Sequence, residues 1–332
     1  MLLAGDIGGT NTRLALYRDD NGPLTLVHST TYQSRSFPTL EDIVLRFLSP
    51  NRFDTPSAAC FAVAGAVVGG EVRATNLPWQ MSEEELRHRL AIPHVLLMND
   101  LEAAAHGVIA TTDPSTLLPL QEGDLSDEHG ALVLVSAGTG LGVAIMAWDG
   151  TAYHVAPSEG GHASFAPQHE VEDALLVFLR SEFGHVSYER VVSGPGLANI
   201  YRFLRLYRGT PEPRWLTERI GGGDPSPVIT TAALAHEDPI CDEALTMFAS
   251  IYGAAAGSVA LTALATGGVF IGGGIAPKIL PRLRDGTFVA SFARKGRFSD
   301  TLRRIPIQVV LAPHVALLGA AACVREIRQR SA

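Results

Sequence analysis

The chain has 332 residues, 46% of them hydrophobic and 18% charged, which allows about two domains with cores of their own and excludes a disordered chain. A formal net charge of −8 argues against a nucleic-acid surface, which needs clustered Lys and Arg; the arginines at helical spacing, Arg202, Arg205 and Arg208, then Arg325, Arg328 and Arg330, read as solvated helix faces. Three cysteines, Cys60, Cys241 and Cys323, with no C-x-x-C pair, indicate neither a disulfide framework nor a thiolate zinc site and fit a reducing compartment.

The first expected strand, Leu2–Asp6, enters the turn Gly8-Gly9-Thr10-Asn11. Asp6 interrupts the apolar run too early for a signal peptide, so a cytoplasmic protein is expected. A second strand, Thr12–Tyr17, meets the hairpin signal Asn21-Gly22, and a third covers Leu24–Thr31. Thr39 is placed to cap a helix through Leu48, with Glu41 and Asp42 in its first turn. Ala58–Val63 reads as a buried strand, Gly69-Gly70 as a hairpin turn, and Ser82 with Glu85 as a capping box for a helix ending near Leu90. Val95–Met98 is a further buried strand and Leu101–Ile109 a helix.

From Ala131 the pattern starts over: strand Ala131–Val135, turn Gly138-Thr139-Gly140, strand Val143–Trp148, turn Asp149-Gly150. This is a weak repeat at domain scale. Helices are expected over about Val171–Phe183, Leu197–Arg208, Val228–His236 and Asp242–Thr266, with a long surface loop at Pro211–Pro227, strands Val269–Ile271 and Ile305–Leu311, and a last helix Val315–Arg330. No charged residue occurs between Glu243 and Lys278. That length could span a bilayer, but the run is rich in small residues and lacks basic flanks, so a buried helix is expected and no membrane partner. Two meanders that each feed helices and strands imply two α/β domains with mixed sheets, 1–110 with 312–332 and 111–311, and a ligand cleft between them.

The glycines of Asp6-Ile7-Gly8-Gly9-Thr10-Asn11 would let backbone N–H groups approach a phosphate, with Thr10 and Asn11 as further donors. Asp6 could hold Mg²⁺ through water. A plain hairpin turn is the alternative, weakened by the second Gly/Thr turn, Gly138-Thr139-Gly140-Leu141-Gly142. A third cluster, Gly272-Gly273-Gly274, follows a strand and is expected to precede a helix, whose N-terminus could meet a nucleotide or simply pack tightly. Asn99-Asp100 ends a buried strand, where ligand-facing residues collect but where helix caps also occur. Glu159, His162 and Glu189 suit a hydroxyl-rich ligand, because carboxylates accept several O–H donors and a neutral imidazole both donates and accepts.

These segments, with Asn76-Leu77-Pro78-Trp79, Ser158-Glu159-Gly160-Gly161-His162 and Val192-Ser193-Gly194-Pro195-Gly196-Leu197, resemble in order the zinc-free bacterial glucokinases, of the actin, Hsp70 and hexokinase superfamily. The resemblance implies two RNase H-like domains and phosphorylation of the 6-hydroxyl of D-glucose by ATP with Mg²⁺. It implies Asp100 as catalytic base, Asn99, Glu159, His162 and Glu189 as sugar ligands, and Asp6, Gly8, Gly9, Thr10, Asn11, Gly138, Thr139 and Gly140 as phosphate loops. Gly273 and Gly274 would then contact adenosine, and the enzyme would be a homodimer. Two departures stand out: Ala64-Gly65-Ala66 replaces the family's Ala-Gly-Pro, and no cysteine follows Gly161-His162 through Glu170, so no structural zinc is expected.

Overall fold

The computed structural model describes residues 1–20, 22–49, 54–74, 77–125, 127–156, 158–312 and 314–330. Asn21 and Asn76 lie outside these residues, so the Asn21-Gly22 turn and the head of the Asn76-Leu77-Pro78-Trp79 segment are not described. The chain divides into two compact units, residues 1–116 with 312–332 and residues 117–311.

The first unit contains β1 (Leu2–Ile7), β2 (Asn11–Arg18), β3 (Thr25–Gln33), α1 (Leu40–Leu48), β4 (Ala58–Val63), β5 (Glu71–Arg73), β6 (Gln80–Ser82), α2 (Glu83–Leu90), β7 (His94–Asn99) and α3 (Asp100–Ala110). Its main sheet runs β3-β2-β1-β4-β7. The β1–β2 and β2–β3 pairs are antiparallel, and β1–β4 and β4–β7 are parallel. Successive side chains of β1 face opposite sides. Leu3 and Ile7 join the core under α1 and α2, while Leu2 and Ala4 join a second core under α3 and the C-terminal helix Val315–Arg330. That helix meets α3 backbone to backbone: a Cβ on Gly319 would lie 1.8 Å from the Ala103 carbonyl oxygen, and one on Gly107 1.9 Å from that of Val315.

The second unit contains β8 (Leu117–Gln121), β9 (Leu132–Ala137), β10 (Leu141–Trp148), β11 (Tyr153–Ala156), α4 (Glu170–Phe183), α5 (Gly194–Tyr207), α6 (Arg214–Ile220), α7 (Ser226–Leu234), α8 (Pro239–Ala263), β12 (Gly268–Gly272), α9 (Leu280–Arg284), α10 (Thr287–Ala293), α11 (Ser299–Arg303) and β13 (Ile307–Val310). Its sheet runs β11-β10-β9-β12-β13-β8. The first five strands repeat the order and pairing senses of the first unit, antiparallel, antiparallel, parallel, parallel. β8 is added antiparallel at the far edge. The uncharged run forms α8, whose most apolar window is 72% buried within the protein. It is a core helix, closed in by residues such as Leu175, Leu197 and Phe288.

Four expectations are corrected. The capping box fails: Ser82 holds the N-cap position, but its side chain makes no cap bond, and the first-turn carboxylate of Glu83 accepts the Leu97 N–H at 2.9 Å instead. The expected surface loop contains α6, because Pro213 and Gly221 are its two caps, Gly221 in the left-handed region. α8 begins at Pro239, not Asp242, since Asp238 caps it by accepting the Ile240 and Cys241 N–H groups. Arg205 is not solvated: it is buried and pairs with buried Asp238 at 2.6 Å. Burial alone would raise the Asp238 pKa, but the guanidinium and the Cys241 N–H outweigh it and hold the carboxyl below its ordinary value.

Candidate active site

In the first unit, the turn Gly8–Thr10 joins β1 to β2. The Gly8 N–H closes it on the Asn11 carbonyl at 3.0 Å, so one of the expected phosphate donors is already used. Ser34 holds the turn from behind: its hydroxyl donates to the Gly8 carbonyl at 2.7 Å and lies 2.9 Å from the Thr12 hydroxyl, and its N–H donates to the Thr10 carbonyl at 2.9 Å. With its carbonyls tied back, the turn presents exposed Thr10 and Asn11 and partly exposed Gly8 and Gly9. Among the described residues no backbone acceptor pairs with the Gly9 or Thr10 N–H. Asp6, opposite Arg13 in the β1–β2 register, binds that guanidinium at 3.1 Å and retains 26% exposure.

At the carboxyl ends of the parallel strands, Ile7, Val63 and Asn99 lie level across β1, β4 and β7, so Asn99 and the glycine turn are roughly 10 Å apart along the sheet. Asn99 is the cap of α3: its Oδ1 accepts the N–H groups of Leu101 at 2.9 Å and Glu102 at 3.4 Å. Its Nδ2 donates to the Gly65 carbonyl at 3.1 Å, so the turn that lacks the family's proline is tethered by a side chain instead. Asp100 opens α3, half-buried, its Oδ1 accepting the Leu101 N–H at 2.9 Å. The helix N-terminus favours negative charge there. Leu77 and Trp79 are buried in the core of the first unit.

In the second unit the central turn Gly138–Gly140 joins β9 to β10. Gly138 N–H donates to the Gly140 carbonyl at 2.8 Å, and Gly194 N–H to the Gly138 carbonyl at 2.8 Å. The Leu141 N–H donates to Glu189 Oε2 at 3.0 Å. Glu159 precedes and His162 ends a 3₁₀ turn, Gly160–His162, and their side chains are 86% and 59% exposed, 3.9 Å apart. Gly161 in this turn is pressed onto β10: a Cβ there would lie 1.8 Å from the Leu141 carbonyl oxygen, so only glycine fits. Backbone bonds from Tyr188 to Ala163 and from Phe165 to Val186 join the Glu159–His162 and Glu189 segments. The second unit therefore brings the segments that carry Glu159, His162 and Glu189 against Leu141. Gly273, at φ +84°, packs behind the same turn, and Ile275 N–H reaches the Ala137 carbonyl at 3.3 Å. A 3₁₀ turn, Ala276–Ile279, and the five-residue α9 follow it, so the expected helix opens as a 3₁₀ turn and is short.

The first unit offers a backbone turn for an anion and a carboxylate at a strand end; the second offers a backbone turn for an anion and three acceptors for hydroxyls. Among the described residues no group of three or more His, Cys, Asp or Glu could hold a metal. A single part-exposed carboxylate such as Asp6 fits Mg²⁺, which keeps several waters and takes its other ligands from phosphates. Arg13 and Ser34 escaped the sequence reading. The Asp6–Arg13 pair follows once the hairpin register is laid out, whereas Ser34 lies 26 residues from Gly8 with no local signal.

A family model described as glucokinase matches residues 3–327. The glucokinase of Nostoc punctiforme (strain ATCC 29133 / PCC 73102) is 41% identical over 337 residues, covering 97% of this chain and 98% of that protein. The crystal structure of a glucokinase from an Antarctic psychrotroph is 33% identical, with a TM-score of 0.86 and 98% of each chain covered. The Balamuthia mandrillaris glucokinase in complex with glucose shares the fold at 22% identity, with a TM-score of 0.79 over 98% of this chain and 93% of that one.

Proposed function

The chain belongs to the glucokinase family, and we propose that it transfers the γ-phosphoryl group of ATP to the 6-hydroxyl of D-glucose, releasing ADP and glucose 6-phosphate, as the first step of glycolysis in the cytoplasm. The observation that carries this reading is the placement of Glu159, His162 and Glu189 on segments that grip Leu141, the residue closing the central glycine turn. Groups suited to a polyol and a turn suited to phosphate share one piece of backbone.

In this reading the repeated strand order supports two RNase H-like domains of the actin and hexokinase type. Glu159, His162, Glu189 and Asn99 hold the sugar. The turns at Gly8–Asn11 and Gly138–Gly140 hold the phosphates, and Gly273 and Gly274 approach the adenosine. The Asp100 carboxylate takes the 6-hydroxyl proton while that oxygen bonds to the γ-phosphorus and the bond to the β-phosphate oxygen breaks. The transition state is loose, so positioning and charge neutralisation dominate. Asp6 would hold Mg²⁺ through water, and the ion would supply charge neutralisation at the phosphates. Buried hydroxyl contacts set specificity, because a missing hydroxyl leaves polar groups unpaired. A homodimer is the expected assembly. ADP release measured with and without glucose tests the assignment: strong sugar stimulation is expected, and sugar-independent turnover would reject it.

A further inference from the structure

Glu189, assigned above to the proposed sugar site, also faces the central glycine turn. Its Oε2 accepts the Leu141 N–H at 3.0 Å, and a Cβ on Gly140 would lie 2.5 Å from that same oxygen, so the carboxylate lies flat against the turn. Its backbone carbonyl accepts the Ser193 hydroxyl at 2.7 Å, and the next residue, Gly194, donates to the Gly138 carbonyl. The corner that carries Glu189 therefore fixes the turn at both ends, Gly138 and Leu141. The Gly160–His162 turn presses on the Leu141 carbonyl from the other side. A carboxylate has about four acceptor positions, and Leu141 takes one.

We propose that Glu189 is a positioning residue for the central glycine turn as well as a ligand of the sugar, so that one carboxylate ties hexose recognition to the seating of the nucleotide phosphates. The inference rests on the reading of this turn as a phosphate loop and deepens it. The coupling is reciprocal: whatever displaces Glu189 from Leu141 weakens both ligands.

The test is the affinity for Mg·ADP, measured by titration calorimetry without sugar, beside the KM for glucose. Glu189→Ala removes the acceptor of Leu141 N–H and is expected to weaken ADP about tenfold, the scale of a hydrogen bond to a charged group. Glu189→Gln keeps an oxygen for that N–H, so ADP affinity stays within about twofold while the glucose KM rises, since a charge-assisted acceptor is lost. Sugar-free ADP affinity unchanged in Glu189→Ala, or equally weakened in both variants, overturns the proposal. Gly140→Ala probes it from the other side: φ there lies outside the glycine-favouring range, and its methyl pushes the carboxylate away. The glucose KM is expected to rise severalfold although residue 140 is no sugar ligand, and an unchanged KM counts against the coupling. Thr139→Val separates the two levels. If it leaves ADP affinity intact, the phosphate-loop reading falls and the inference with it; if it weakens ADP and Glu189→Ala does not, the inference alone falls.

Discussion

The two glycine turns occupy equivalent places, each joining the first two strands of a repeated five-strand pattern, yet they are braced by different chemistry. The N-terminal turn is tied back by a neutral hydroxyl, Ser34, which has no part in the proposed sugar site. The central turn is tied by a carboxylate, Glu189, which does. On the proposed reading, the same backbone device is an independent anchor in one unit and a sensor of the sugar in the other.

The largest expected effect belongs to the first unit, which carries the proposed proton acceptor as well as the independent anchor. Asp100→Asn should lower kcat by about 10²–10⁴-fold with the KM values for glucose and ATP little changed, as read by coupled ADP release; near-normal turnover would remove Asp100 from the role. Next comes the support of the second unit. Asp238→Ala leaves Arg205 buried without its partner, which should cost about 3 kcal/mol of stability in urea unfolding. Because the folded Asp238 carboxyl lies below its ordinary value, its contribution is present above about pH 4, the unfolded carboxylate value, and is lost as pH falls through the lower folded value. A pH series of unfolding midpoints in which wild type and variant converge at low pH would bear this out; a constant gap would not. The smallest effect sharpens the comparison itself. Ser34→Ala removes a hydroxyl worth about 1 kcal/mol to the turn, so the KM for ATP should rise about fivefold while the glucose KM holds. A parallel rise in both would make the N-terminal turn a sensor too.

Much of this was legible in the sequence where one local rule sufficed. β4 was marked by six consecutive apolar residues, all of them buried in the structure, the α1 cap by Thr39, whose hydroxyl accepts the Asp42 N–H, and the Asp149-Gly150 turn by an Asx signal that the structure fulfils, with Asp149 accepting the Thr151 and Ala152 N–H groups. Failures came where two local signals competed or a partner was distant. The prolines and glycines around α6 were equally good as loop markers and as caps. Arg205 looked solvated because Asp238, which neutralises it, is 33 residues away. The candidate site residues were visible as motifs, but the bracing of Leu141 by Glu189, 48 residues on, depends on tertiary placement that no spacing encodes.

The close crossing of α3 and the C-terminal helix has a consequence for biosynthesis. The core that backs α3 is completed by Leu317, Ala320, Ala321 and Val324, which leave the ribosome after every residue of the second unit. Residues 117–311 are contiguous and can gain their native contacts during translation. The helix carrying Asp100 must wait for these residues, so the proposed enzyme acquires its proton acceptor's final support only after the whole second unit has been synthesised.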